Sequence, residues 1–249
     1  MANGVVLYHG PSQIDGAPIV VIATGLENAS RNAKTGGDLI QTWILRADMK
    51  PTDAIHSGAD ASICGGCKHR GTIVDGRNVG RSCYVTVHQA PLVVYKSWLK
   101  GLYPSVTPAE ARKLFAGRGV RMGSYGDPAA APFGQWAEWL ADAAFHTGYT
   151  HQWQRFPEFA ALCMASADTP TERAYAKLMG YRTFRVTPRD SRTDKAEREV
   201  ICPASVEAGQ KTACDTCRAC GGTSSKAKAD IVITVHGAAG KVNAFKRAA

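Results

Sequence analysis

VRMGSYGDPAAAPFGQWAEWLADAAF, residues 120–145, changes within a few residues from a strand-like to a helix-like pattern. Residues 120–125 read as a buried strand, and residues 128–145 as a long helix behind it. The same alternation continues on both sides. Upstream, Pro91 opens the apolar and aromatic segment PLVVYKSWLK and Gly101 closes it, as a helix with proline in its first turn and glycine past its end would. Thr107-Pro108-Ala109-Glu110 has the form of a capping box for a helix over 108–116 that ends at Gly117. Downstream, HTGYTHQW, FAALCMASAD and GYRTFRV are strand candidates, and Thr169-Pro170-Thr171-Glu172 repeats the capping box before a helix that Gly180 ends. EVICPAS (199–205) and DIVITVHG (230–237) supply two more strands.

Strands separated by helices of this length imply βαβ units and a parallel sheet. The expected fold class is α/β: a full or partial parallel β/α barrel, TIM-like, with an open doubly wound sheet as the runner-up. In front of it, APIVVIATG (17–25) and LIQTWILRA (39–47) are joined by the polar stretch ENASRNAKTGGD as an N-terminal β-hairpin. A loop carrying Cys64, Cys67 and Cys83 follows, and a Cys-rich segment lies near the C-terminus. The expected organisation is an N-terminal β extension over 1–60 and a barrel-like domain with two cysteine clusters over 61–249, together one compact unit.

The chain has 249 residues, 45% of them hydrophobic, enough for a buried core without help from disulfides. MANGVVLYHG lacks the basic start and apolar run of a signal peptide, and no stretch approaches a membrane span, so a soluble protein of the bacterial cytoplasm is expected. There, eight cysteines grouped by spacing are metal ligands or redox groups before they are disulfides. The net charge of +9 would suit a nucleic-acid partner or a basic solvated surface. The basic residues gather only at Arg182–Arg198 and in the tail Lys241–Arg247. GxGxxG after the first strand and GxxxxGK[ST] are both absent, which removes the two simplest nucleotide-binding readings.

CDTCRAC (214–220) holds three cysteines at C-x2-C-x2-C spacing, and Cys202 precedes Pro203. Bacterial four-iron clusters use this run together with a distant cysteine followed by proline. Cys202, Cys214, Cys217 and Cys220 therefore match a closed [4Fe–4S] site, with zinc as the alternative. Structural zinc more often draws on two separate C-x2-C pairs. Cys64-Gly65-Gly66-Cys67 and Cys83 make an incomplete tetrahedron. Either His69 closes it or one metal position stays open, and an open position marks a catalytic site. Cys163, inside ALCMAS, reads as a buried small hydrophobe.

In parallel β/α folds, chemistry collects at the carboxyl ends of the strands. Here those ends carry Tyr125 and Asp127, His151, Ser166 and Asp168, Arg185, and His236. Each has a structural alternative. Asp127 and Asp168 suit helix N-caps, His151 a hydrogen-bonded core, and His236 a loop. Their joint placement is what points to a site.

CGGC…CYV, VRMGSYGDPAA, GYTHQW, MASAD, GYRTFRV, ICPAS and CxxCxxCGG, in that order, resemble a family of uncharacterised proteins carried by bacteriophages, plasmids and their bacterial hosts. The resemblance runs from about residue 5 to 237 and implies no activity. More distantly, the chain is similar to radical SAM enzymes. These have a partial β/α barrel, a three-cysteine [4Fe–4S] site before the first long helix and often an auxiliary cluster near the C-terminus. The usual CxxxCxxC is here CxxC and a third cysteine after a long gap. SYGDP stands where such enzymes carry a Gly-rich strand end that contacts the SAM amino group. That likeness implies S-adenosylmethionine as a cofactor near Tyr125, Gly126 and Ser166.

The leading expectation is an iron–sulfur protein of mobile-element origin, a radical-SAM-like or other redox enzyme with one or two [4Fe–4S] clusters. In it Asp127, His151 and Arg185 orient a small-molecule or macromolecular substrate or move protons. The rivals are a zinc-stabilised nucleic-acid-binding protein for phage or plasmid replication or regulation, and a non-catalytic Fe–S redox protein. No membrane partner is expected.

Overall fold

The computed structural model describes residues 2–28, 35–37, 39–188 and 198–248. Most of the polar stretch 27–38 and of the basic run between Pro188 and Arg198 lies outside the described residues.

The β-branched runs near the N-terminus form strands as the composition requires. β1 (Gly4–Pro11), β2 (Pro18–Thr24) and β3 (Leu39–Arg46) make an antiparallel meander. β1 adds a strand to the expected hairpin. Ile19 through Ala23, Leu39, Ile40, Ile44 and Leu45 are all fully buried. The 48–83 segment, expected as a loop, contains α1 (Pro51–Ser57), α2 (Ala61–Cys64) and a small hairpin, β4 (Thr72–Val74) with β5 (Arg77–Val79). α3 (Ala90–Leu99) and α4 (Pro108–Phe115) follow. α4 starts in a complete capping box: the Glu110 amide donates to Thr107 Oγ1, and the Thr107 amide to Glu110 Oε2.

β6 (Gly119–Tyr125) pairs in parallel with β3, so the N-terminal strands share a sheet with the β/α portion. α5 (Phe133–Leu140) is shorter than the expected helix over 128–145. Pro128–Ala130 forms a separate 3-10 turn capped by Asp127. Pro132 brings no amide hydrogen and drives Ala131 to extended backbone (φ −104°, ψ 152°), so the α-helix begins only after it. At the far end Phe145 is already in β7 (Phe145–Thr147), which pairs in parallel with β6. Trp136 and Trp139 are fully buried, with ring centroids 5.0 Å apart edge to face, and Trp136 Nε1 donates to the Pro128 carbonyl at 2.8 Å.

Past Gly148 the chain enters a second sheet. β8 (Tyr149–Thr150), β9 (Met164–Ser166), β10 (Thr183–Thr187), β11 (Glu199–Ile201) and β12 (Asp230–Thr234) are ordered β11-β12-β10-β9-β8, all parallel. α6 (Pro170–Leu178), with the second capping box complete, connects β9 to β10. α7 (Cys214–Cys217) and α8 (Ala239–Ala248) complete the chain, and α8 forms in the tail that had been read only as a basic cluster. The fold is therefore mixed α/β with two five-stranded sheets, one wholly and one partly parallel. Among the described residues no helix is long and apolar enough to cross a membrane.

The second sheet is tied by a buried charge network. Asp230 accepts from the Thr183 amide at 2.9 Å and from Arg173 at 3.1 Å, and Glu199 accepts from Arg185 at 2.7 and 2.9 Å. Both acids are almost fully buried, so each needs its cation and its donated hydrogen bonds.

Candidate metal and substrate site

The carboxyl ends of the parallel strands converge. Past β6, Tyr125, Gly126 and Asp127 reach a cavity of about 400 Å3; past β8, His151; past β9, Asp168; past β12, His236. This volume lies in the range of small-molecule sites. Ser166, the last residue of β9, also lines it.

Asp127 does two jobs that sequence posed as alternatives. Its Oδ1 accepts from the Ala129 amide as a cap, and its Oδ2 accepts from the His151 amide at 2.7 Å. Burial pushes its carboxyl up, against the His151 ring and these amides. Asp127 thus fixes the backbone that carries His151. Gly126 holds φ +85°, and a Cβ there would stand 2.7 Å from Ile44 Cβ and 2.8 Å from the Ile44 carbonyl oxygen. Gly126→Ala should therefore cost about 1–3 kcal/mol in urea unfolding, the range for a non-glycine residue forced into this region.

Cys64, Cys67 and Cys83 line the same cavity. Cys64 ends α2, whose start is anchored by Asp60. That carboxylate is fully buried and accepts from Arg70 Nη2 at 2.8 Å, Arg70 Nε at 3.1 Å and Arg81 Nη1 at 3.4 Å. Gly65 turns the chain with φ +54°, where a Cβ would meet the Gln152 amide at 2.1 Å. Burial, reinforced by Cys67, Asp60 and Cys83, pushes the Cys64 thiol well up. Burial raises Cys83 too, with the Arg81 guanidinium opposing.

His69, within the CKHRG stretch, turns elsewhere. Its Nδ1 pairs with Ser82 Oγ at 2.8 Å and its Nε2 faces Asp168 Oδ1 at 3.3 Å. His151 Nε2 faces Asp168 Oδ2 at 3.5 Å, and the Cys67 sulfur stands beside the His151 ring. Burial disfavours the imidazolium of His151, but Cys67 and Asp168 outweigh it and hold the ring's pKa well above its usual value. Burial would raise Asp168, yet hydrogen bonds from His151 and His69 hold it well below the usual carboxylate range. Phe245 of α8 stacks on His69, centroids 5.7 Å apart. Among the described residues, His69, His151 and Asp168 are the group of three metal-binding side chains whose ligand atoms all lie within 4.8 Å of one another.

The second cysteine set gathers beside the first. Cys202, Cys214, Cys217 and Cys220 line an adjoining pocket that contains no histidine or carboxylate, and Cys214 also reaches the large cavity. Burial pushes the Cys220 thiol up to about 12, with Tyr149 opposing and the other three cysteines reinforcing. No disulfide joins any of the cysteines among the described residues. Cys163 is fully buried in the apolar core, as its setting predicts.

Arg185 does not join the cavity wall; its guanidinium is bound by both carboxylate oxygens of Glu199. Arg182 is likewise turned inward, donating to the carbonyls of Ala219, Gly222 and Ala229. Two members of the basic run are thus spent on internal structure. One cavity residue that sequence reasoning missed is Arg121, which donates to Tyr84 Oη at 2.6 Å and has no carboxylate partner among the described residues. The available signal was a lone charge within the apolar run VRMGSY.

Fold and site together define a mixed α/β protein whose strand ends close on a thiol-lined cavity. Comparison with protein-family models, with curated proteins and with solved structures found no match.

Proposed function

We propose that this chain is an iron–sulfur protein and a redox enzyme of radical-SAM-like type. The observation that carries the reading is the placement of two cysteine sets, far apart in sequence, in adjoining pockets at the strand carboxyl ends, with Cys214 lining both. The two sheets would be parts of a single partial β/α barrel, since only Gly148 separates β7 from β8.

The donor chemistry fits. The second pocket is lined by four thiols and, among the described residues, by no histidine or carboxylate, and Cys202, Cys214, Cys217 and Cys220 would hold a closed [4Fe–4S] cluster there. Cys64, Cys67 and Cys83 would hold the other, its fourth iron position left open because His69 is engaged by Ser82 and Asp168. Such clusters supply one-electron transfer, and an open iron position offers a place for donor atoms of a bound molecule.

The chain's own residues would arrange that molecule. Tyr125, Gly126 and Ser166 form the wall that S-adenosylmethionine would occupy. Asp127 positions His151, which faces the bound molecule, and Arg121, with no carboxylate partner among the described residues, would bind its anionic group. The rings of Tyr84, Tyr149 and Phe184 also line the cavity and would offer apolar contact to the bound molecule.

Protein purified without oxygen is expected to contain about eight irons with matching sulfide, and to bind S-adenosylmethionine in equilibrium dialysis. Stoichiometric zinc without iron would overturn the reading. It would direct attention to nucleic-acid binding that weakens steeply with salt.

A further inference from the structure

His69, His151 and Asp168 come from three separate stretches: the 3-10 turn Lys68–Arg70, the end of β8 and the end of β9. Nothing in their local sequence joins them. Their polar atoms nevertheless converge with a spacing that hydrogen bonding explains poorly. The two Nε2–carboxylate distances, 3.3 and 3.5 Å, are long for charge-assisted hydrogen bonds, which run to about 2.7–2.9 Å. His151 Nε2, although buried, makes no hydrogen bond of ordinary length, facing Asp168 Oδ2 at 3.5 Å with the Cys67 sulfur beside the ring. Those separations match the edge of a coordination tetrahedron: ligands about 2.05 Å from a metal stand about 3.3 Å apart.

The surroundings are those of a supported ligand set. His69 has its second ring nitrogen held by Ser82 Oγ at 2.8 Å, which fixes the ring and leaves Nε2 for a ligand. His151 is held through its amide by Asp127. Asp168 is only 7% exposed at its side chain, and Lys68 Nζ lies 3.6 Å from its Oδ2. Two imidazoles and one carboxylate, facing a cavity, leave further positions open for a small molecule.

We propose that His69, His151 and Asp168 bind one divalent first-row transition-metal ion, separate from both cysteine sets. The ion sits beside Cys67 and faces the cavity, where it binds an oxygen or nitrogen donor of the bound molecule. This inference does not depend on the cluster reading.

The test is cobalt retention. Full-length protein as isolated is equilibrated with Co2+, desalted and analysed for cobalt, iron and sulfide together. One cobalt per chain is expected. His151→Ala and Asp168→Asn should abolish retention, and Ser82→Ala should weaken it about 10–100-fold, the usual effect of removing a supporting hydrogen bond. Ser82→Ala removes no ligand, so it reads the site even where a ligand variant folds poorly. The cobalt-loaded protein should show no thiolate-to-cobalt charge-transfer absorption, since the ligands are imidazole and carboxylate. Absence of stoichiometric cobalt, or a count insensitive to His151→Ala and Asp168→Asn, would overturn the proposal. So would strong thiolate-to-cobalt absorption, which would make the histidines part of a cysteine site. Iron and sulfide are read separately, so protein with cobalt and no iron would keep this site while sinking the cluster reading.

Discussion

Cys217→Ser protein purified without oxygen should carry about four fewer irons and four fewer sulfides per chain than the parent. Cys163→Ala should keep the full complement. The contrast follows from position. Cys217 lines the all-thiol pocket, whereas Cys163 is fully buried in the main core, and burial with the Asp127 charge pushes its thiol well up. A thiol enclosed in the apolar core and lining neither pocket is not placed to be a ligand. Removing one of four thiolates opens a closed site and frees the loop from Cys214 to Cys220. Elemental analysis and the absorption spectrum on the same samples decide it. Retention of all iron in Cys217→Ser would exclude that residue as a ligand, and equal loss in Cys163→Ala would point to unfolding.

The second large effect is at Asp60. Replacement by alanine leaves the Arg70 and Arg81 guanidinium groups, 19% and 14% exposed at their side chains, without the fully buried carboxylate that neutralises them. Breaking a buried pair by deleting one partner typically costs about 3–5 kcal/mol. At about 2–4 °C per kcal/mol for a chain of this size, Asp60→Ala should melt about 6–20 °C lower. The damage should also reach the site. Arg70 additionally donates to the carbonyls of Gly58 and Gly65, so the carboxylate holds together the loop that presents Cys64 and Cys67. Iron bound by the first set should fall with stability in this variant while Cys202, Cys214, Cys217 and Cys220 retain theirs. A melting temperature within about 2 °C of the parent would show that the arginines re-solvate at little cost.

Features governed by neighbours three or four residues away were legible in the sequence. Both capping boxes, at Thr107 and Thr169, form as their residue types require, because the bonds they make are local. The strands of β2, β3, β6, β10 and β12 follow from β-branched and apolar runs. Where local signals competed, the reading failed. Pro132 interrupted a helix that helical composition alone would have carried through residue 145, and α1 and α2 hid within a stretch whose cysteines and glycines read as loop.

By itself the sequence determined the alternation of strands and helices, the spacing of C-x2-C-x2-C, and the polar character of the strand ends, since each depends on residues close together in the chain. Only the tertiary structure decided which of these groups meet. It turned Arg185 onto Glu199 and Arg182 onto backbone carbonyls, brought Arg121 into the cavity wall, and set His69 against Asp168 and away from closing the cysteine set. The physical reason is that a buried charge must find a partner in three dimensions, and the order of strands in the sheets sets which partners are within reach.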